Sequence, residues 1–199
     1  MGRGETTRQA ILGHAVAVAR QIGLEGLTIG RLAQDLKLSK SGLFAHFQSK
    51  EELQVQVLDA AASRFVEEVV KPGLKAPRGE PRVRALVEAW LAWAQSNSRP
   101  GGCPFAAAAM ELDDRPGSPR DRLVRLQKDW LDVLAGTVRT AAAEGHFRSD
   151  VDPEQFAHEL YGMMLGFHHA VRLLKDPHAV SRVHRAFEAL LSRARPAPP

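Results

Sequence analysis

Three hydroxyl side chains, Thr28, Ser39 and Ser49, each stand directly ahead of a run with helical period. At such a position the side-chain oxygen accepts an N–H that the first helical turn leaves without a partner. The caps lie so close together that the helices between them must be short and the turns tight. Thr28 opens a helix over residues 29–36, with Leu32, Ala33 and Leu36 inward. Lys37-Leu38 supplies a turn, and Ser39 opens a third helix reaching about Phe47. Ser49 opens a fourth, and Glu52 three residues on completes a capping box.

The remainder also reads as helix. Strand-like alternation is absent, and the Gly/Pro clusters fall between long helical segments. A first helix spans Thr6 to Ile22, with Ile11, Leu12, Ala15, Val16, Ala19 and Ile22 on one face, and Gly23 closes it. The fourth carries Leu53, Val57, Ala61, Phe65 and Val69 and is expected to end at Lys71-Pro72-Gly73. The loop over 74–81 is the best boundary candidate. Beyond it helices are expected over Arg82–Ser96, Phe105–Leu112 and Arg120–Glu144, then two opened by Asp152-Pro153 and Asp176-Pro177. A frayed tail from Arg195 follows. The expectation is an all-α chain of about nine helices: a three-helix domain over residues 1–50 and a helical bundle over 51–199.

Charge separates the same two parts. The chain carries 27 Lys and Arg against 23 Asp and Glu, net +4. Residues 1–50 hold Arg3, Arg8, Arg20, Arg31, Lys37, Lys40 and Lys50 against Glu5, Glu25 and Asp35, so the whole excess lies there. Such asymmetry fits a small anion-binding module joined to a neutral body.

Two short helices joined by a tight turn form a helix-turn-helix, whose second helix presents its front residues to base edges in the DNA major groove. The residues suit double-stranded DNA as partner. Ser39, Ser41 and Gly42 are small enough for close approach, and Lys40 can reach bases or phosphates. Leu43 and Phe47 turn to the core, leaving Phe44, Ala45 and His46 toward the groove walls. No acid interrupts the stretch before Glu51, as a phosphate-facing surface requires. Lys50 and Thr28 are placed for flanking phosphates.

TIGRLAQDLKLSKSGLFAHFQSKEEL, residues 28–53, resembles the signature of the TetR/AcrR family of bacterial transcriptional regulators. Gly23, Thr28, Leu32-Ala33, Ser39, Phe44, Phe47, Ser49, Lys50 and Glu51 fall in register with it. One departure is Phe44, where the family usually has a tyrosine whose hydroxyl touches a phosphate. The resemblance implies a nine-helix homodimer whose C-terminal body binds a small ligand and then releases DNA, hence a repressor on a palindromic operator. Residues 101–123 resemble a segment of a subset of these regulators.

For the body, an apolar ligand cavity is expected among Trp90, Trp93, Phe105, Met110, Trp130, Tyr161, Met164 and His168, with Tyr161 and His168 as polar handles on one helix face. Gly162, Gly166 and Ala170 form a groove of small residues that a partner helix could approach. With Phe187 and Leu190 they are expected at the dimer interface, beside an inward stripe of Phe156, Leu160, Met163, Phe167, Val171 and Leu174. Cys103 reads as a buried packing group. The histidines lack metal-ligand spacing: His168 and His169 point about 100° apart on a helix, and His158-Glu159 has no second histidine four residues on. No cofactor, no metal and no enzymatic motif is expected. No apolar run is long enough to span a membrane, no signal-peptide core is present, and one cysteine fits a cytoplasmic protein. The alternative left open is a helical ligand-binding or protein-interaction module that does not bind DNA.

Overall fold

The computed structural model describes residues 3–95 and 101–197, with side chains from Thr7 onward. Among them the chain is entirely helical: α1 (Arg3–Ile22), α2 (Ile29–Leu36), α3 (Lys40–Phe44), α4 (Lys50–Phe65), a π-helical turn (Val66–Val70), α5 (Lys71–Lys75), α6 (Glu80–Gln95), α7 (Pro104–Leu112), α8 (Ser118–Ala143), α9 (Pro153–Arg172) and α10 (Ala179–Ala194). The expected helix end at Ser96 and the last prolines of the tail lie outside the described residues.

The chain divides into two compact units, residues 1–65 with 96–126, and 66–95 with 127–199. In the first, α1, α2 and α3 pack with α4, α7 and the start of α8 around one core. Leu12, Val16, Leu27, Leu32, Leu43, Phe47, Leu53, Val57, Leu58, Leu112 and Leu123 belong to it. Ser49 caps α4, and the returning bond from Glu52 reaches the residue before the cap rather than Ser49 itself. Its Oγ accepts the Glu52 N–H at 3.0 Å, and Glu52 reaches back to the Gln48 N–H at 3.0 Å. The Glu111 carboxylate on α7 accepts the Glu25 N–H at 2.9 Å, which fixes the turn after α1.

In the second unit α5 packs on α6 and α9 on α10. Trp90 meets Phe167 edge-on at 6.1 Å, and Phe147 stacks on Phe156 at 5.6 Å. Glu80 opens α6 and pairs with Arg84 at 2.7 Å and with Arg195 Nε at 2.8 Å. Arg84 also pairs with Glu188 and lies 5.9 Å over the Phe187 ring. Arg195, expected in a frayed tail, is thus an anchor between the end of α10 and the start of α6.

Two sequence expectations about helix ends fail. Lys71-Pro72-Gly73 does not stop the fourth helix; the helical run continues into α5 through the π turn. Proline has no N–H to donate and crowds the carbonyl four residues back. Here that residue is Glu68, inside the π turn, and Pro72 stands in the first turn of α5, where a missing N–H is tolerated. Asp176-Pro177 does not open α10 either. The Asp176 carboxylate accepts the His178 N–H at 2.9 Å, and the helix begins at Ala179.

Candidate nucleic-acid interface

Thr28 is extended (φ −131°, ψ 151°), and its Oγ1 accepts the Arg31 N–H at 3.1 Å. The helix it opens buries Ile29, Leu32 and Ala33. Lys37 ends that helix in the left-handed conformation (φ 53°), and the Leu38 N–H returns to the Ala33 carbonyl at 2.9 Å. A side chain there costs about 1–2 kcal/mol of backbone strain. The tight turn that follows delivers Ser39, whose Oγ accepts the Gly42 N–H at 3.0 Å and starts α3.

This helix is short and divided sharply between two environments. Leu43 and, just beyond it, Phe47 are 0% exposed. Ser39, Lys40, Ser41, Gly42, Phe44 and Ala45 face solvent, with Phe44 51% exposed. No acidic side chain lies on α3. His46 is half-buried, its ring 6.3 Å from that of Phe47, and so less open than the sequence suggests. Gly42 has a reason within the chain as well: a Cβ there would stand 3.0 Å from the capping Ser39 hydroxyl.

Lys50 is not a free cation. Its ammonium sits 3.1 Å from Glu25 Oε2, and Arg115 reaches the same oxygen at 3.0 Å. Gln54, buried at 2%, donates to Glu25 Oε1 at 3.1 Å and to the Leu24 carbonyl at 2.9 Å. The amide of Gln54, then the Lys50 ammonium, hold the Glu25 carboxyl below its usual range against a smaller opposing effect of burial. Sequence reasoning missed Glu25, Gln54, Arg115 and Glu111. Only tertiary packing joins them, and no local spacing announces it.

The residues expected around a ligand part company. Trp90, Trp93, Trp130 and Met164 are buried, and Tyr161 and His168 half-buried, all in the second unit. Phe105 belongs to the first, edge-on to Phe65 at 5.7 Å and packed on that unit's core. Met110 is 70% exposed and lines no interior, because α7 turns Ala108 and Leu112 inward instead. A groove of about 340 Å³ runs between α1 and α4, lined by Arg8, Gln56, Asp59 and Arg64 rather than by the expected aromatics.

The expected dimer residues also separate. Gly162 and Gly166 are exposed, and a Cβ on either would meet nothing within 4 Å; Ala170 is half-buried. Phe187 and Leu190 are 2% and 3% exposed and fill their own unit's core, so they are no outward surface. Leu174, expected inward, is 62% exposed because α9 ends at Arg172. Cys103 is buried. Among the described residues no three His, Cys, Asp or Glu side chains gather as metal ligands, and no helix is long and apolar enough to cross a membrane.

The architecture is that of a helix-turn-helix protein with a separate helical body. The family model described as bacterial regulatory proteins, tetR family, matches residues 11–57, and that for the tetracyclin repressor-like C-terminal domain matches residues 79–187. The chain belongs to the TetR family and is a DNA-binding transcriptional regulator. A TetR transcriptional regulator from Chloroflexus aurantiacus is 26% identical, with 96% of each chain covered and a TM-score of 0.85. A TetR-family regulator from Cytophaga hutchinsonii shares the fold at 18% identity, covering 100% of this chain and 99% of that one with a TM-score of 0.87. AibR, solved with isovaleryl coenzyme A and operator DNA, shares it at 24% identity, 89% and 96% coverage and a TM-score of 0.68. No curated protein matches the chain.

Proposed function

We propose that the protein is a homodimeric repressor that holds a palindromic operator through residues 28–50 and releases it when a small apolar ligand binds the body. The observation that carries the DNA-binding part is the division of α3: Leu43 and Phe47 fully buried, and Ser39, Lys40, Ser41, Gly42 and Phe44 open to solvent with no acid among them. Small front residues admit the helix to the major groove, Lys40 and Ser41 reach base edges, and Thr28 and Lys50 meet flanking phosphates, with His46 at the groove wall. A cytoplasmic location follows from access to the genome.

The ligand is proposed to enter the second unit among Trp90, Trp93, Trp130, Tyr161, Met164 and His168. As an inducer it must prefer the DNA-incompetent shape; shifting a population from 99:1 to 1:99 takes roughly 5.5 kcal/mol of differential affinity. AibR, of the same fold, was solved with isovaleryl coenzyme A and operator DNA, which supports a small-molecule site in a protein of this architecture. The dimer is proposed to form on the α9 face bearing Gly162, Gly166 and Ala170, where the space above the two glycines is open to a partner helix.

Selection of bound sequences from a random duplex library tests the reading. Two half-sites in inverted repeat, about 34–36 Å or its multiples apart, are expected. Lys40→Ala should alter sequence preference, and Lys50→Ala should weaken all sequences alike. Absence of any enriched sequence overturns the proposal.

A further inference from the structure

Lys50 and Arg115 both reach a single carboxylate oxygen, Glu25 Oε2, at 3.1 and 3.0 Å. A carboxylate oxygen accepts two donors at once, so if either cation leaves, the other keeps the carboxylate paired. The acceptor itself cannot follow Lys50 outward. Its other oxygen is bonded to Gln54, and its backbone N–H to Glu111. The three charged side chains are unequally open, Arg115 at 61%, Lys50 at 41% and Glu25 at 37%. All lie in the first unit, close to the start of α4 that the DNA-binding reading turns toward a phosphate.

We propose that Glu25 is a positioning residue for DNA binding: it holds the Lys50 ammonium in the unbound protein, and Arg115 keeps the carboxylate paired when Lys50 turns to a phosphate. The inference rests on the DNA-binding reading above. Without Arg115, each phosphate contact by Lys50 would strand an anion beside the duplex. With it, the cost is the exchange of one partly exposed ion pair, a factor on the order of two to five in affinity for each subunit.

The test is a double-mutant cycle on affinity for a random-sequence duplex long enough for two half-sites, measured across a salt series. Glu25→Gln keeps an acceptor for Gln54 and so preserves the fold, which a melting curve checks. It should raise affinity two- to fivefold for each subunit in the wild-type background and distinctly less in the Lys50→Ala background. Arg115→Ala, at an exposed loop position, should lower affinity, and by less once Glu25→Gln is present. An equal gain from Glu25→Gln in both lysine backgrounds would mean that Glu25 acts only as a nearby negative charge, and overturns the proposal. So does a Lys50→Ala protein with an unchanged salt slope; in that case DNA binding itself is judged separately, by whether Lys40→Ala changes sequence preference.

Discussion

Gly23 closes α1 at φ +83°, and a Cβ built there would stand 2.4 Å from Glu111 Oε1. The Glu111 carboxylate is not free to swing away, since it accepts the Glu25 N–H at 2.9 Å. Gly23→Ala therefore carries two costs. Left-handed backbone in an L-residue costs about 1–2 kcal/mol. Displacing the carboxylate sacrifices a hydrogen bond to a charged acceptor, about 1.5–3 kcal/mol. Gly145 provides the control: its φ is +74°, but nothing lies within 4 Å of its Cβ position. Gly145→Ala bears the backbone cost alone. At roughly 2–4 °C per kcal/mol for a chain of this size, Gly23→Ala should lower Tm by about 3–12 °C more than Gly145→Ala. Adding Glu111→Ala to each should remove the difference, because the obstructing carboxylate is then gone. Scanning calorimetry on the four variants gives the shifts. Equal shifts for the two glycine variants, or a difference that survives Glu111→Ala, would refute the argument that Glu111 fixes this turn.

Acid should destabilise the protein through identified carboxyls. The pKa of Glu80 is held below its usual 4.5, first by the Arg195 hydrogen bond, and that of Glu25 first by Gln54. A carboxyl depressed on folding stabilises above its unfolded pKa and loses that contribution as pH falls through the folded one. The urea midpoint should therefore decline below about pH 4.5, less steeply in Glu80→Gln, and an unchanged slope would remove Glu80 as a cause. Gly166→Leu should shift the sedimentation coefficient toward monomer while leaving the monomer folded, since its Cβ position is open; a wild-type monomer at micromolar concentration would sink the dimer. Met110→Lys should stay within about 0.5 kcal/mol of wild type, whereas Trp90→Ala, a fully buried ring, should cost about 3–5 kcal/mol in urea unfolding.

What the sequence disclosed follows the range over which residues act. Thr28, Ser39 and the Ser49–Glu52 box are local devices, each closing a bond within four residues, so their helices were readable in order. Leu43 and Phe47, four apart, announced the buried face of α3 in the same way. The Glu25 cluster joins α4, the α1–α2 turn and the residues after α7, and only packing brings them together. Apolar character also misled. Met110 looks like core, yet α7 rotates it to water, while Phe187 and Leu190 look like a spare stripe but are consumed by their own unit. Asp176-Pro177 has the composition of a helix start, and its carboxylate caps a turn instead.

The division of α3 has a consequence for retargeting. Its fold depends on Leu43 and the nearby Phe47, together with the Ser39 cap, while positions 40, 41, 44 and 45 are exposed, Ser41 adding a hydroxyl bond to Ser39 at 3.2 Å. Exposed positions of this kind usually tolerate exchange within about 0.5 kcal/mol. A library randomised at those four positions should therefore consist mostly of folded molecules, differing in which duplexes they prefer. New binding preferences would be within reach by point changes that never pass through an unfolded intermediate sequence.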